Sequence, residues 1–402
     1  MKRNGQNLLV YRTVQVISWF VARFIFQRKI IRNEIKDKKG PFVVIANHQA
    51  AYDFMNLIGA TKTPMHFVIS YSFYNALPIK GIMDKLGVIP KQQFQTAVRD
   101  MKKIRSVMDA GKPLVIYPAG LMCEDGLSTP IPAATYKFLK WMDADIYVAR
   151  TYGTYFSMPK WTKGLRAGET RLDIYKLFSR EQLVDLDINT IREETRKALL
   201  FDAYREQEDL LVKYKHNDQI SGLENVLYMC PHCKTEFSVD VKDGNTIFCR
   251  QCGYAQASDA YGFLHKQGDI GEEIRYVSDW SRLIYRELKQ KIENGQETEL
   301  TAKTQIHMVG GKGSGFSEVG AGIVRLQSDC FVLKGEINGE QTELEIPIAS
   351  FISLPFSPGN YIEIQQGKNI YRCVLEDGKL AMKFINMVKI FYELNSAVKC
   401  GV

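Results

Sequence analysis

His48 and Asp53 have the residue types and the spacing needed to take a proton from a hydroxyl group. Imidazole gains and loses a proton near neutral pH, and a carboxylate within reach fixes its tautomer and stabilises the imidazolium. The pair sits in Phe42-Val-Val-Ile-Ala-Asn-His-Gln-Ala-Ala-Tyr-Asp53. Phe42 to Ala46 is a short unbroken apolar run behind Gly40-Pro41, which reads as a buried strand. Asn47-His48 then falls at the strand's end. A helix-compatible run from Ala50 to Gly59 follows, and places Asp53 about one turn inside a helix. Strand-to-helix turns are where sheets flanked by helices keep their chemistry.

A second constellation is Cys230-Pro-His-Cys233, fifteen residues, then Cys249-Arg-Gln-Cys252. Two Cys-x2-Cys knuckles so separated predict a zinc ribbon. Four thiolates close a tetrahedral Zn2+ site with no open position, so the metal is structural and His232 is not a ligand. Phe237, Val239, Val241, Ile247 and Phe248 alternate around Asp243-Gly-Asn245 as a hairpin. Lys234, Lys242 and Arg250 are matched by Glu236, Asp240 and Asp243. That balance favours a scaffold or protein-contact role, and no nucleic acid is expected as a partner.

The stretch around His48 resembles the first motif of the glycerolipid acyltransferase family, a His, four residues and an Asp. The resemblance implies that His48 is the base on a glycerol hydroxyl that attacks an acyl thioester, with Asp53 orienting it. It also implies substrate contacts from Asn47, Lys91, Pro118 and Gly120. Lys91 ends Leu86-Gly-Val-Ile-Pro-Lys91, which matches the second family block loosely; an exposed loop lysine is the alternative. Pro118 and Gly120 match the third block, Pro-Glu-Gly-Thr-Arg, in Pro118-Ala-Gly-Leu-Met122. There Ala119 stands for the Glu, and Leu121 and Met122 for the Thr and Arg. Arg offers a two-pronged fork for phosphate, which Met cannot supply. Glu124 or Asp125 from a shifted register, and Lys137, Arg150, Lys160 or Arg166 as a cation, are open substitutes.

The elements that must position these residues follow from the pattern. Phe42–Ala46, His66–Ile69, Pro113–Tyr117, Ile146–Arg150 and Arg171–Tyr175 read as strands with helices between, clearest at Gln95 to Ala110. That alternation predicts an α/β fold with a mostly parallel sheet covered by helices. Aromatic Thr151 to Trp161 reads as core or channel lining. Val277 to Gly295 reads as a helix. Ala321–Leu326, Phe331–Gly335, Glu343–Pro347, Tyr361–Gln365 and Tyr371–Glu376 read as strands, and Lys379 to Asn395 as a closing helix. This order of elements resembles a pleckstrin-homology or GRAM-type domain, which implies lipid or partner binding; a packing or dimerisation module is the alternative. Gly310-Gly-Lys-Gly-Ser-Gly315 reads as a hairpin tip.

The chain has 402 residues and a net charge of +8, enough length for two or three domains. Residues 1–40 hold ten Lys and Arg against Glu34 and Asp37, so the whole surplus sits there. Leu8 to Phe26 is apolar but interrupted by Arg12, Gln15 and Arg23. It is expected to lie as an amphipathic helix in a membrane interface, with Trp19, Phe20, Phe24 and Phe26 in the acyl boundary. Arg12, Arg23, Arg28, Lys29 and Arg32 would face anionic headgroups. A spanning helix and a helix packed on the protein's own core are the alternatives. Scattered cysteines outside the ribbon fit a reducing compartment.

The expected domains are therefore 1–35, a membrane-interface segment; 36–225, the α/β domain; 226–268, the ribbon; 269–296, a helical linker; and 297–402, the β domain with its helix. The expected partners are a phospholipid surface, a lysophospholipid acceptor of the lysophosphatidic acid kind, and an acyl thioester donor, acyl-CoA or acyl-carrier protein. The expected location is peripheral on the cytoplasmic face of the cell membrane. The competing expectation is a lipid-binding protein built on the same fold without turnover.

Overall fold

The apolar run ahead of His48 forms a strand, Val43–Ala46, buried at every position. A strand covered on both faces needs no alternation of polar and apolar residues. The computed structural model of the chain describes residues 6–93, 97–162, 164–310 and 315–399. It divides into two units, Met1–Pro159 with Leu165–Lys215, and Lys160–Gly164 with His216–Val402. The tip residues Gly311–Ser314 lie outside the described residues, as do Gln95 and Thr96 at the start of the expected Gln95–Ala110 helix.

In chain order the first unit holds α1 (Leu8–Phe20), β1 (Lys29–Asn33), β2 (Val43–Ala46), α2 (Asp53–Ile58), β3 (His66–Ser70), α3 (Tyr71–Ala76), α4 (Lys80–Lys85), β4 (Ile89–Lys91), α5 (Val98–Asp109), β5 (Leu114–Ile116), α6 (Ala134–Trp141), β6 (Ile146–Tyr152), α7 (Thr154–Ser157), β7 (Arg171–Phe178), α8 (Arg180–Asp185), α9 (Ile188–Leu199) and α10 (Ala203–Leu210). The sheet order is β1-β7-β6-β2-β5-β3-β4. β2 runs parallel to β5 and β6, β3 to β4 and β5, and β1 to β7, while β6 and β7 are antiparallel. This is a mostly parallel sheet covered by helices. Val43 and Ile45 pack with Ile104, Leu139 and Ile191 on one face; Phe42, Val44 and Ala46 pack with Tyr11 and Leu57 on the other. Alternate side chains of a central strand thus anchor helices on both sides.

The expectation of one amphipathic segment over 1–35 needs correction. α1 passes into a wider-wound turn, Val21–Ile25, and the chain then straightens into β1. Thr170 N–H donates to the Phe26 carbonyl and Lys29 N–H to the Thr170 carbonyl, so this backbone is paired beside β7. Ile30 and Ile31 are β-branched and suit an extended chain. Most of the basic residues have partners within the fold, although only Arg28 is half-buried and the others stay exposed. Arg12 donates to the Lys62 carbonyl and Arg28 to the carbonyls of Asn56 and Gly59. Lys29 pairs with Glu169 and Arg32 with Asp173. Burial lowers the Arg28 pKa to about 10. Arg23 lies over the Phe24 ring.

Tyr11, Ser18, Ala22 and Phe26 form the buried stripe of this segment. The outer face is apolar: Leu9 is 78% exposed and Phe24 61%, with Leu8, Val16, Ile17, Trp19 and Phe20 beside them. Among the described residues, Leu8–Ile25 is the one helical stretch long and apolar enough to cross a membrane by length and composition.

The second unit holds β8 (Val239–Lys242), β9 (Thr246–Cys249), β10 (Ala255–Ser258), β11 (Leu264–Gln267), α11 (Val277–Glu293), β12 (Glu299–Val309), β13 (Phe316–Gln327), β14 (Cys330–Ile337), β15 (Glu340–Pro347), β16 (Phe356–Ser357), β17 (Tyr361–Gln366), β18 (Asn369–Leu375) and α12 (Leu380–Lys399). Its two sheets are ordered β11-β10-β9-β8 and β15-β14-β13-β12-β18-β17-β16. Every pairing in them is antiparallel. Residues 216–225, expected with the first domain, belong to this unit.

α11 is not a linker. Trp280 is fully buried, and its indole N–H donates to the Met229 carbonyl at 2.8 Å, beside the first knuckle. Lys383 of α12 is buried and bonds Glu236 at 2.7 Å and Glu297 at 2.6 Å, and Lys291 of α11 reaches Glu236 at 2.9 Å. Burial raises the Glu236 carboxyl, but its bonds from Lys383 and Lys291 outweigh this and hold it below the usual range.

Removing one partner of a buried pair strands the other charge, so Glu236→Ala is expected to lower the unfolding free energy of this unit by about 3–5 kcal/mol. A depressed carboxyl stabilises above its unfolded pKa, and that contribution fades as pH falls through the folded value. The native protein will therefore lose this contribution on the acid side, and the variant will lack it. Denaturant melts between neutral pH and pH ~4 check both; a loss under about 1 kcal/mol would mean that water screens the pair.

Candidate active site and metal site

His48 stands just past the end of β2, the middle strand of the sheet. Its Nδ1 lies 3.0 Å from Asp53 Oδ2. Asp53 is the first residue of α2, one turn earlier than the sequence implies, so its carboxylate faces back across the turn. Oδ2 also accepts the backbone N–H groups of Gln49 at 2.7 Å and Ala50 at 3.0 Å. The His48 side chain is 21% exposed and that of Asp53 0%. An acidic oxygen that already receives two N–H bonds acts as acceptor for the ring as well, so Nδ1 carries the proton and Nε2 is left with its lone pair. The Tyr117 ring lies against the imidazole, with centroids 4.3 Å apart at a 31° tilt. Burial, then the Asp53 charge, push the Tyr117 hydroxyl well above its usual pKa, so it stays protonated.

The other residues implied by the motifs fare differently. Asn47 is buried, and its amide is spent on β6. Nδ2 donates to the Thr151 carbonyl at 2.8 Å, and Oδ1 accepts Thr151 N–H at 2.8 Å and its hydroxyl at 3.1 Å. It is a clamp between strand ends, a structural role beside the substrate contact that the motif implies. Gly120 adopts a positive φ of 71° in the turn after β5. Its N–H donates to the Tyr117 carbonyl at 2.9 Å, so it cannot serve as a donor to an oxyanion or a phosphate. Its carbonyl accepts from Gln93. Pro118 opens this turn. Lys91 ends β4, and Nζ donates to the Gln92 carbonyl at 3.0 Å. Burial lowers its pKa, and the Asp100 charge partly restores it.

Gln49 and Cys123, which carried no functional signal in the sequence, help to complete the site. Gln49 is fully buried, and Oε1 accepts from the Thr154 hydroxyl at 3.0 Å and Tyr155 N–H at 3.2 Å. Cys123 N–H donates to the His48 carbonyl at 3.2 Å. Residues 117–123 therefore arch over His48, with Tyr117 on its ring and Cys123 on its backbone. Glu124 and Asp125 are buried just beyond. Burial, then the charges of Asp125, Glu124 and Asp53, keep the Cys123 thiol protonated. Of the cations open in the sequence, Arg150 bonds Glu206 at 2.5 Å, Arg166 is buried, and Lys160 lies over the Phe356 ring in the second unit.

The four cysteines of the knuckles come together, with all Sγ atoms within 4.8 Å of one another. Cys230 and Cys252 are 3.7 Å apart, as are Cys233 and Cys249. Sulfurs about 2.3 Å from one tetrahedral ion would lie about 3.8 Å apart, so the set fits a zinc ion. β8, β9 and the turn at Gly244 hold the second knuckle. Trp280 closes in behind the first through its bond to the Met229 carbonyl.

Residues 27–155 match the family model described as acyltransferase. No curated protein matches the chain. Among solved structures, the chain is similar to the 1-acyl-sn-glycerophosphate (LPA) acyltransferase PlsC from Thermotoga maritima, at 16% identity and a TM-score of 0.43, over 51% of this chain and 81% of that one. It is also similar to the Ran-binding domain of the nuclear complex component Nup2 from Ashbya gossypii, at 16% identity and a TM-score of 0.20, over 24% of this chain and 97% of that one. Residues 27–155 thus carry an acyltransferase domain, in line with the resemblance of the His48 motif to the glycerolipid acyltransferases.

Asn47→Ala removes three bonds between β2 and β6 and is expected to cost about 1–3 kcal/mol of stability; a melt of the first unit within about 0.5 kcal/mol of native would mean that the clamp is idle. Chelation is expected to release zinc and lower the melting transition of the whole second unit, leaving that of the first in place. Metal analysis with calorimetry checks this, and a Cys249→Ser chain with native metal content and an unshifted second transition would remove zinc from the account.

Proposed function

We propose that the first unit transfers an acyl group from an acyl-CoA or acyl-carrier-protein thioester to a hydroxyl of a lysolipid at the cytoplasmic face of the cell membrane. The observation that carries this reading is the His48–Asp53 pair, held by two backbone N–H bonds and open to solvent only on the imidazole side. His48 Nε2 takes the proton as the acceptor oxygen attacks the thioester carbonyl. The tetrahedral intermediate collapses, the C–S bond breaks, and the thiolate leaves with the proton from His48. Asp53 gains most when the ring is charged, so its stabilisation is largest at the transition state. The apolar outer face of Leu8–Ile25 supports docking in a lipid interface, where a single-chain acceptor resides. Since Arg12 and Arg28 are spent on carbonyls, apolar insertion carries this docking more than headgroup charge does.

His48→Ala is expected to abolish acyl transfer, and Asp53→Asn to lower kcat on the order of 10²–10⁴-fold with the acceptor KM little changed. Retained turnover in His48→Ala would end this mechanism, and would leave the chain a lipid-binding protein if no transfer is found in the native protein either. Substituting Trp19 and Phe24 with Ser is expected to release the protein from phospholipid vesicles in flotation, at native activity toward a soluble short-chain acceptor. Undiminished flotation would move the docking surface elsewhere.

A further inference from the structure

The Asp53 carboxylate holds one edge of the His48 ring, and a hydrogen bond at one edge leaves a ring free to hinge about it. Taking a proton from an acceptor hydroxyl needs Nε2 within about 3 Å of the oxygen and aimed at it, so the face of the ring has to be held as well. Tyr117 makes contact on that face. Its ring centroid stands 4.3 Å from that of the imidazole, with the two planes 31° apart.

The sheet delivers this tyrosine. β2 and β5 run parallel with Ile45 opposite Ile116, so Tyr117 follows β5 at the level where β2 gives way to the turn of His48. Its side chain packs against the buried cluster that contains Val44, Ala46 and Leu57. Gly120 N–H donates to the Tyr117 carbonyl at 2.9 Å, and Cys123 N–H to the His48 carbonyl at 3.2 Å. One short segment, 117–123, thus carries the tyrosine and grips the backbone of the histidine.

An aromatic face carries partial negative charge and attracts a cation within about 6 Å of its centroid. When His48 takes the acceptor proton, positive charge spreads over the ring that lies on this face. The attraction is larger for the charged imidazole than for the neutral one, so it counts mostly in the transition state. Burial, then the Asp53 charge, keep the Tyr117 hydroxyl protonated, so no phenolate enters the interaction.

We propose that Tyr117 is a positioning residue for the proton transfer: its ring holds the plane of the His48 imidazole and stabilises the imidazolium, and its hydroxyl is needed for neither. This rests on the acyl-transfer reading above.

Tyr117→Leu keeps an apolar side chain and removes the ring. It is expected to lower kcat between about fivefold and thirtyfold, with the KM values of acyl-CoA and of a lysolipid acceptor within about twofold of native. Tyr117→Phe keeps the ring and is expected to recover most of that loss. A loss in Tyr117→Phe equal to that in Tyr117→Leu overturns the inference and gives the role to the hydroxyl. A kcat in Tyr117→Leu within about twofold of native overturns it outright. The stack can also be read without turnover, in proton–carbon spectra of the histidine-labelled full chain, with the His48 signal assigned from His48→Ala. The tyrosine ring current is expected to hold the His48 Cε1 proton upfield; Tyr117→Leu moves it downfield and Tyr117→Phe leaves it in place. A proton that does not move in Tyr117→Leu overturns the stack. Absence of transfer by the native protein, with the stack present in its spectra, overturns the acyl-transfer reading and the catalytic part of this inference with it.

Discussion

A carboxylate wholly removed from water must have its oxygens met by hydrogen-bond donors. Asp53 meets that condition with two backbone N–H groups and the His48 ring on one oxygen. The backbone donors come from Gln49 and Ala50, so the turn must close tightly straight after β2. That closure is possible because Gln49 is drawn inward by Thr154 and Tyr155, and Asn47 by Thr151. The ends of β2 and β6 are thus tied side by side. The base is placed by a chain of hydrogen bonds running from the sheet to a single carboxylate oxygen, and every link except His48 is buried.

How much of this was legible in the sequence depends on the range of each interaction. The His48–Asp53 pair was legible because its residues are five apart and the strand before them is unmistakably apolar. The four thiols were legible because knuckle spacing is itself local. The clamp made by Asn47 was not legible because its partners lie on β6, 104 residues away, and its amide mimics a backbone group there. Gly120 was misread because a glycine in a motif suggests an open N–H, while the turn it enables consumes that N–H. Gln49 and Tyr117 gave no signal, since a buried glutamine and a strand-end tyrosine acquire meaning only from neighbours in space.

The fold shows the same division. Strands with continuous apolar runs, such as Ile146–Tyr152, were found. β4 is three residues with a proline, and β1 follows a helix so closely that its Ile30-Ile31 reads as more of the same apolar segment. β12 alternates through Thr301, Lys303, Gln305 and His307 against Ala302, Thr304 and Ile306, but its buried side includes a threonine and its pattern is faint. α11 was found as a helix and misjudged as a linker. Its amphipathic stripe said that one face is covered and could not say that Met229, beside the metal knuckle, is part of the cover.

The N-terminal segment and the reacting helix form one mechanical piece. α2 is only six residues long, so its last carbonyls are a large share of its hydrogen-bonding groups and have no partners within the helix. Arg28 donates to the carbonyls of Asn56 and Gly59, and Gln15 to those of Ile58 and Thr61. A cation at a helix C-terminus also opposes the negative end of its dipole. Arg28, a charge that a headgroup-binding segment would display, is therefore used to hold the far end of the helix that begins with Asp53. These bonds couple the position of the segment, and of its apolar outer face, to the position of the carboxylate. A segment that only anchored the chain would need no such bonds. These bonds explain why polar residues interrupt the apolar run at Gln15 and end it at Arg28.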